Sequence, residues 1–171
     1  GSDLSPAQEV VNEIVEMGGE AIVNGANVAD FAAAGEMVQQ AIDTWGRLDI
    51  LINNPGILRD RMIFSMSEDD FDAVINVHLK GTFSTVHHAS VFWRETVKAG
   101  GEAFGRIINT SSPSGIYGNV GQANYGAANA ILDQMANNWA TVSPLHRRIP
   151  PISAIKWGSW GEVGMSKEGT K

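Results

Sequence analysis

The feature that most constrains this chain is an alternation of two periods. Short apolar runs that end in asparagine, serine or glycine are separated by longer stretches whose apolar residues recur every three or four positions. Residues 48–53 form one such run and open into Asn54-Pro55-Gly56. Residues 106–109 form a second and open into a small polar loop over 110–121, residues 152–155 form a third, and Ala21-Ile22-Val23 reads as a shorter fourth. Runs this short that stay apolar suit strands of a parallel sheet covered on both faces. Between them the spacing predicts helices. Ser5-Pro6-Ala7-Gln8 carries a start signature, with Ala7, Val10, Val11, Ile14 and Val15 as its stripe and Gly18-Gly19 as its stop. Asp30 caps a second helix with the stripe Ala34, Met37, Val38, Ala41, Ile42 and Trp45, closed by Gly46. Ser67 opens a third, with Glu68, Asp69 and Asp70 against the positive end of its dipole and Phe71, Val74, Ile75, His78, Phe83 and Val86 along one side. A fourth covers about 124–140. Strands alternating with such helices give an α/β, doubly wound parallel sheet. Ligands of these sheets sit beyond the carboxyl ends of the strands. That directs attention to Asn27-Val28, Asn53 to Gly56, Ser111 to Ser114 and Trp157-Gly158.

A chain of 171 residues with 43% apolar content can bury one ordinary core, so a single domain is expected over 3–171, with Gly1-Ser2 read as a cloning remnant. The net charge of −7 comes without any block of like charges, which argues against a nucleic-acid surface. The absence of cysteine rules out disulfides, thiolate metal sites and thiol nucleophiles. No apolar run approaches the roughly 18 residues of a membrane span and no signal peptide is visible. A cytoplasmic protein with neither membrane nor nucleic-acid partner is expected. His87-His88 are helical neighbours that do not share a face, so no metal site is expected there or elsewhere.

Ser112 precedes Tyr125 by thirteen positions, with Tyr125 near a helix start, and Asn53-Asn54-Pro55-Gly56 follows a strand. In this order the motifs resemble the short-chain dehydrogenases, nicotinamide-dependent oxidoreductases of the Rossmann type, with Pro55 where the family has alanine. The resemblance covers the chain to about Met165. Val77-His78-Leu79-Lys80-Gly81 and the stretch from Gly115 to Tyr125 look like the (3R)-hydroxyacyl-CoA dehydrogenase domains of multifunctional β-oxidation enzymes, which allows a peroxisomal location. Tyr125-Gly126-Ala127-Ala128-Asn129, Trp157-Gly158-Ser159-Trp160 and Gly164-Met165 are similar to polyketide synthase ketoreductases. Both branches imply a 3-hydroxyacyl or 3-ketoacyl thioester, on CoA or an acyl carrier, and NAD or NADP as cofactor. The resemblance also implies Tyr125 as the acid/base, Ser112 as the holder of the substrate oxygen, and Asn129 and His78 in the remaining polar catalytic positions. Asn27, Val28, Asn53, Asn54, Pro55, Gly56, Trp157 and Gly158 would lie along the cofactor, and Gln122 and Trp160 beside the substrate. Asn27-Val28 as a plain loop turn, and Trp157 and Trp160 as plain core aromatics, are equally open.

Free tyrosine titrates near pH ~10, so a neutral-pH proton exchange wants a cation beside it. A lysine about 4 Å away at an effective dielectric near 20 is worth about 4 kcal/mol, or about three pKa units. In common members of the family that lysine lies four residues after the tyrosine, one turn on and on the same face; here the position holds Asn129. In polyketide ketoreductases it lies on the preceding helix, at the position of His78. Neither slot holds lysine. His78 with a raised pKa, Lys80, and Lys156 at the end of the last strand are the possible substitutes, each with a plain alternative as a packed histidine, a surface charge and a strand-end lysine.

By the same resemblance the chain lacks the family's first β-α-β unit, with its glycine-rich phosphate turn, and its final strand. The strands at 21–23 and 48–53 would then miss their partners, so a missing N-terminal segment of the same fold, or another chain, is expected to pair with them. The helix over 71–94 is a possible homodimer surface, marked by Phe92 and Trp93. A non-catalytic homologue serving as a structural or scaffolding partner is the alternative to an enzyme.

Overall fold

The computed structural model describes residues 4–142 and 152–156. Helices α1 (Ser5–Glu16), α2 (Phe31–Trp45), α3 (Glu68–Ile75), α4 (Gly81–Lys98), α5 (Ser114–Tyr117) and α6 (Ala123–Val142) alternate with strands β1 (Ile50–Asn53), β2 (Arg106–Ser111) and β3 (Ile152–Lys156). The strands form one sheet in the order β1-β2-β3, and every pairing is parallel. Ile107 stands opposite Leu51 on one side and Ile152 on the other.

The local start and stop signals are realised in the backbone. The Asp30 carboxylate accepts from the Ala33 N–H at 3.0 Å, and Ser67 Oγ accepts from the Asp70 N–H at 3.1 Å, each satisfying an orphan amide of its helix. Gly46 ends α2 at φ 71°, a conformation that favours glycine. At α1 the cap position falls to Leu4 rather than Ser5, and no residue of this helix is buried. Its apolar stripe therefore has no core to meet.

The core lies on one face of the sheet. Val86, Ala89 and Trp93 of α4 and Ala136 of α6 pack over Ile107, with Leu48, Leu51 and Ala154 around them. Trp93 is buried and its indole N–H donates to the Leu48 carbonyl. Gly105 passes directly beneath it; a Cβ there would fall 2.5 Å from the indole. Trp93 thus belongs to the core, with the half-buried Phe92 packed against it.

Two expectations are corrected. Residues 20–27 form no ladder, so Ala21-Ile22-Val23 is not a strand here. A strand exists only through its partner, and the Val23 carbonyl takes its hydrogen bond from the Gln40 side chain instead, at 3.4 Å. The long helix is also not one α-helix. Asn76–Lys80 forms a π turn between α3 and α4, in which the Gly81 N–H bonds back to the Asn76 carbonyl. The extra residue shifts the buried stripe by about 100°. Thr82, Thr85, Val86, Ala89 and Trp93 face inward, while Phe83, expected inside, is 47% exposed.

β1 is an edge strand whose second face is open: Leu51 and Asn53 turn to the helices, and Ile50 and Ile52 turn to solvent, Ile52 with 64% exposure. An apolar unpaired edge invites association. Ile52→Lys should leave the melting temperature within about 2 °C, as a surface change worth less than about 0.5 kcal/mol. It should shift the concentration-dependent sedimentation of the chain toward monomer; unchanged association would mean that the edge is not adhesive.

Candidate active site

The site is set where β1 and β2 end. Asn53, the last residue of β1, is buried; its Nδ2 donates to Asn109 Oδ1 at 2.9 Å, and its Oδ1 accepts from Thr85 Oγ1 at 2.6 Å. Each end of the amide thus has a partner within the protein. Asn109 is also buried, and its Nδ2 has no partner among the described residues. This network pins the carboxyl ends of both strands to α4.

Beyond it, residues 53–57 and 24–28 line a cleft of about 880 Å³. Asn27, Val28, Asn53, Asn54, Pro55 and Gly56, all expected along a cofactor, border it together. Val28 packs on Gly81, where a Cβ would come within 2.9 Å. The Asn27 side chain accepts from the Ala29 N–H at 3.0 Å, which makes it a turn residue whatever else it meets. The far wall of the cleft is apolar, formed by Met37, Val38 and Ala41 of α2 with Leu48, Leu51 and Ile52. Its volume suits a cofactor. Among the described residues, however, no glycine-rich strand-to-helix turn borders it to receive a pyrophosphate.

The residues expected to do chemistry lie on three elements, and His78, Tyr125 and Asn129 are in contact. Ser112 follows β2, is buried, and its Oγ accepts from the Ser114 N–H at 3.2 Å. Tyr125 lies in the first turn of α6, half-buried, with its ring edge-on to the His78 imidazole at 5.0 Å between centroids. Asn129, one turn on, is buried and donates from Nδ2 to the Tyr125 carbonyl at 2.8 Å. Its amide is therefore turned back along its own helix. Gln122 is held on both ends, accepting from Ser114 Oγ at 3.1 Å and donating to Asp60 at 3.0 Å. Trp157, Gly158 and Trp160 lie outside the described residues.

His78 sits in the π turn, buried, with Nε2 3.0 Å from the Ile57 N–H nitrogen and 2.9 Å from the Ile57 carbonyl oxygen. Either tautomer satisfies one of these, so the imidazole fixes the loop after β1 without being charged. Burial pushes its pKa below the ordinary 6.5, partly opposed by the Ile57 contact. Burial thus works against a raised-pKa cation at His78. The other substitutes fare no better: Lys156 pairs with Asp133 at 3.1 Å, and Lys80 is exposed on the side away from Tyr125, beside Phe31 and Asn76.

Asn124 escaped the sequence reading. It is fully buried beside Tyr125; its Nδ2 donates to the carbonyls of Arg59 and Asp70 and its Oδ1 accepts from the Tyr125 N–H at 2.8 Å. One side chain thus joins the loop after β1, the start of α3 and the start of α6. Its only sequence signal is an amide at a helix start, which reads as an ordinary cap.

The His78 imidazole also sets a pH dependence. A folded-state pKa below 6.5 means that the unfolded chain binds the proton more tightly, so stability is full above pH about 6.5 and falls as the pH drops below it. His78→Gln should flatten this acid-side decline in thermal melts between about pH 7 and pH 5. A slope identical to that of the parent chain would place the titration elsewhere.

A family model described as short chain dehydrogenase matches residues 1–148. The chain is 45% identical over 130 residues to hydroxyacyl-CoA dehydrogenase ChsB1 of Mycobacterium tuberculosis, covering 72% of this chain and 41% of that protein. It is 44% identical over 141 residues to peroxisomal multifunctional enzyme type 2 of Mus musculus, covering 82% of this chain and 18% of that protein. Among solved structures, a short chain dehydrogenase from Mycobacterium avium superposes with a TM-score of 0.82 at 49% identity, over 88% of this chain and 52% of that one. Another, from Burkholderia cenocepacia in complex with NADP, superposes with a TM-score of 0.79 at 28% identity, over 92% and 61%. The chain spans less than half the length of these two curated relatives.

Proposed function

Because the chain belongs to the short-chain dehydrogenase family, we propose that it serves an NAD(P)-dependent oxidoreductase that interconverts 3-hydroxyacyl and 3-ketoacyl thioesters. The observation that carries this reading is the phenol of Tyr125 standing against His78 at the mouth of the sheet, on the helix that follows the Ser112 turn. The relatives named for hydroxyacyl-CoA chemistry and for a multifunctional peroxisomal enzyme support the substrate class. The NADP held by a structural neighbour supports the cofactor.

The residues divide the work by what their hydrogen bonds leave free. Ser112 Oγ already accepts an N–H from Ser114, so its own proton remains available to donate to a carbonyl oxygen. Tyr125 gives or takes the proton of that oxygen as the carbon changes oxidation state. Asn124 holds the start of α6, and with it the phenol, against the loop after β1. Val28, Asn54, Pro55 and Gly56 would lie along the dinucleotide, with Asn27 at the adenine end. The nicotinamide, when bound, exchanges the hydride. Among the described residues no pyrophosphate turn borders the cleft, while its apolar wall runs along the open edge of β1. Both features fit a further strand and its turn, from the same protein or another chain, docking on that edge.

A second reading is favoured by one specific observation. The surroundings of Tyr125 hold an imidazole whose burial disfavours charge and a carboxamide, and Lys156 is paired with Asp133. With no cation shown beside the phenol among the described residues, turnover should be slow, and a non-catalytic structural partner meets the same geometry. Titration with NADH and NADPH, then with a 3-ketoacyl-CoA, separates the two. Oxidation of nucleotide that falls by at least about 100-fold in Tyr125→Phe supports the enzyme, as expected for loss of an acid/base group. No nucleotide binding at millimolar concentration supports the structural partner.

A further inference from the structure

Asn24 is the single asparagine of the chain that glycine follows. The pairing has a chemistry of its own. The backbone nitrogen after an asparagine can attack the side-chain carbonyl, and glycine alone brings that nitrogen in with no Cβ to obstruct the approach. The fold leaves the attack open. Asn24 and Gly25 are both exposed, in a segment that forms no ladder. The Gly25 N–H has no hydrogen-bond partner among the described residues, so the attack breaks no existing bond. The Ala26 N–H donates to Asn24 Oδ1 at 2.8 Å. It is therefore aimed at the oxygen on which negative charge collects once nitrogen adds to the carbonyl carbon, as a donor to a tetrahedral intermediate should be. The leaving nitrogen, Nδ2, rests on Gln40 Oε1 of α2.

Other asparagines lack this combination. Asn53, Asn109, Asn124 and Asn129 are buried, while Asn27, Asn76 and Asn119 precede valine and Asn54 precedes proline. We propose that Asn24 is a self-modification site, at which the Gly25 nitrogen closes on the Asn24 side chain and the amide becomes a carboxylate on the wall of the cleft. Gly25 N loses its proton to solvent and bonds to Asn24 Cγ; the Cγ–Nδ2 bond breaks and ammonia departs, leaving a cyclic imide. Water then opens either imide carbonyl, giving aspartate or, with the backbone rerouted through the former side chain, isoaspartate. The net change is one water taken up and one ammonia released, with no oxidant or reductant. Residues 24–28 line the cleft together, so the new charge faces into it. A carboxylate cannot donate to Gln40 Oε1. If the Gln40 amide turns to donate instead, its Nε2 leaves the Val23 carbonyl, and the segment is untied from the middle of α2. The chemistry is independent of the oxidoreductase reading.

The full chain is incubated at neutral and mildly alkaline pH in heavy-oxygen water, and its peptides are mapped by mass spectrometry. One label should enter at position 24, with both aspartate and isoaspartate formed, and faster at the higher pH. The folded chain should react within about tenfold of the rate of a free peptide spanning 20–29, because an exposed segment without a ladder opens at little cost. Gly25→Ala should slow the reaction at least about tenfold by obstructing the nitrogen. Its methyl meets only the Leu4 side chain, at 3.0 Å, and φ at 25 is not left-handed, so the fold should stand. A folded chain slower than the peptide by more than that margin would mean that the structure protects Asn24, and overturns the proposal. So does label appearing as aspartate alone, or at an undiminished rate in Gly25→Ala, since water would then attack the amide directly.

Discussion

The carboxyl end of the sheet depends on a buried amide pair. Asn53 and Asn109 face each other across β1 and β2, and Thr85 closes the group from α4. In a low-dielectric interior such a network is costly when left unmatched and orienting when matched. It fixes three things together: the register in which Asn53 stands opposite Asn109, the distance from α4 to the sheet, and the point at which the chain turns from strand into the loop of Asn54, Pro55 and Gly56. The cleft and the loops that follow the strands are built outward from that point.

Much of this was legible from local sequence. The caps at Asp30 and Ser67, the stop at Gly46 and the placement of Ser112 and Tyr125 after a strand and at a helix start rest on bonds to near neighbours in the chain, so residue type alone reveals them. The parallel sheet was legible for the same reason, since unalternating apolar runs admit few other fates. What stayed hidden is decided at long range. Ala21-Ile22-Val23 has the composition of a strand, but a ladder needs a second chain segment beside it. Asn124 looks like any helix-start amide until Arg59 and Asp70 arrive from more than fifty residues away. Trp93 is marked for a surface only by the family's dimer helix until Ile107 and Gly105 arrive against it from another part of the chain.

The site itself was only half legible. That neither usual lysine position holds lysine is a statement about letters and needed no structure. What surrounds the named substitutes needed coordinates, because burial works against charge on His78 and Lys156 pairs with Asp133. His78 instead ties the long helix to the loop after β1 through Ile57, a role for which imidazole serves where an amide would also serve.

The π turn at Asn76–Lys80 has a consequence for how the two halves of the long helix can vary. α3 contacts α6, whereas α4 contacts α2 and the sheet. The surplus residue between them lets each half keep its own phase, so neither set of contacts dictates which letters the other must place inward. Deleting that residue would shorten the chain by one unit yet make two separately tuned surfaces compete for a single helical repeat, with the imidazole at the junction the first group carried out of place.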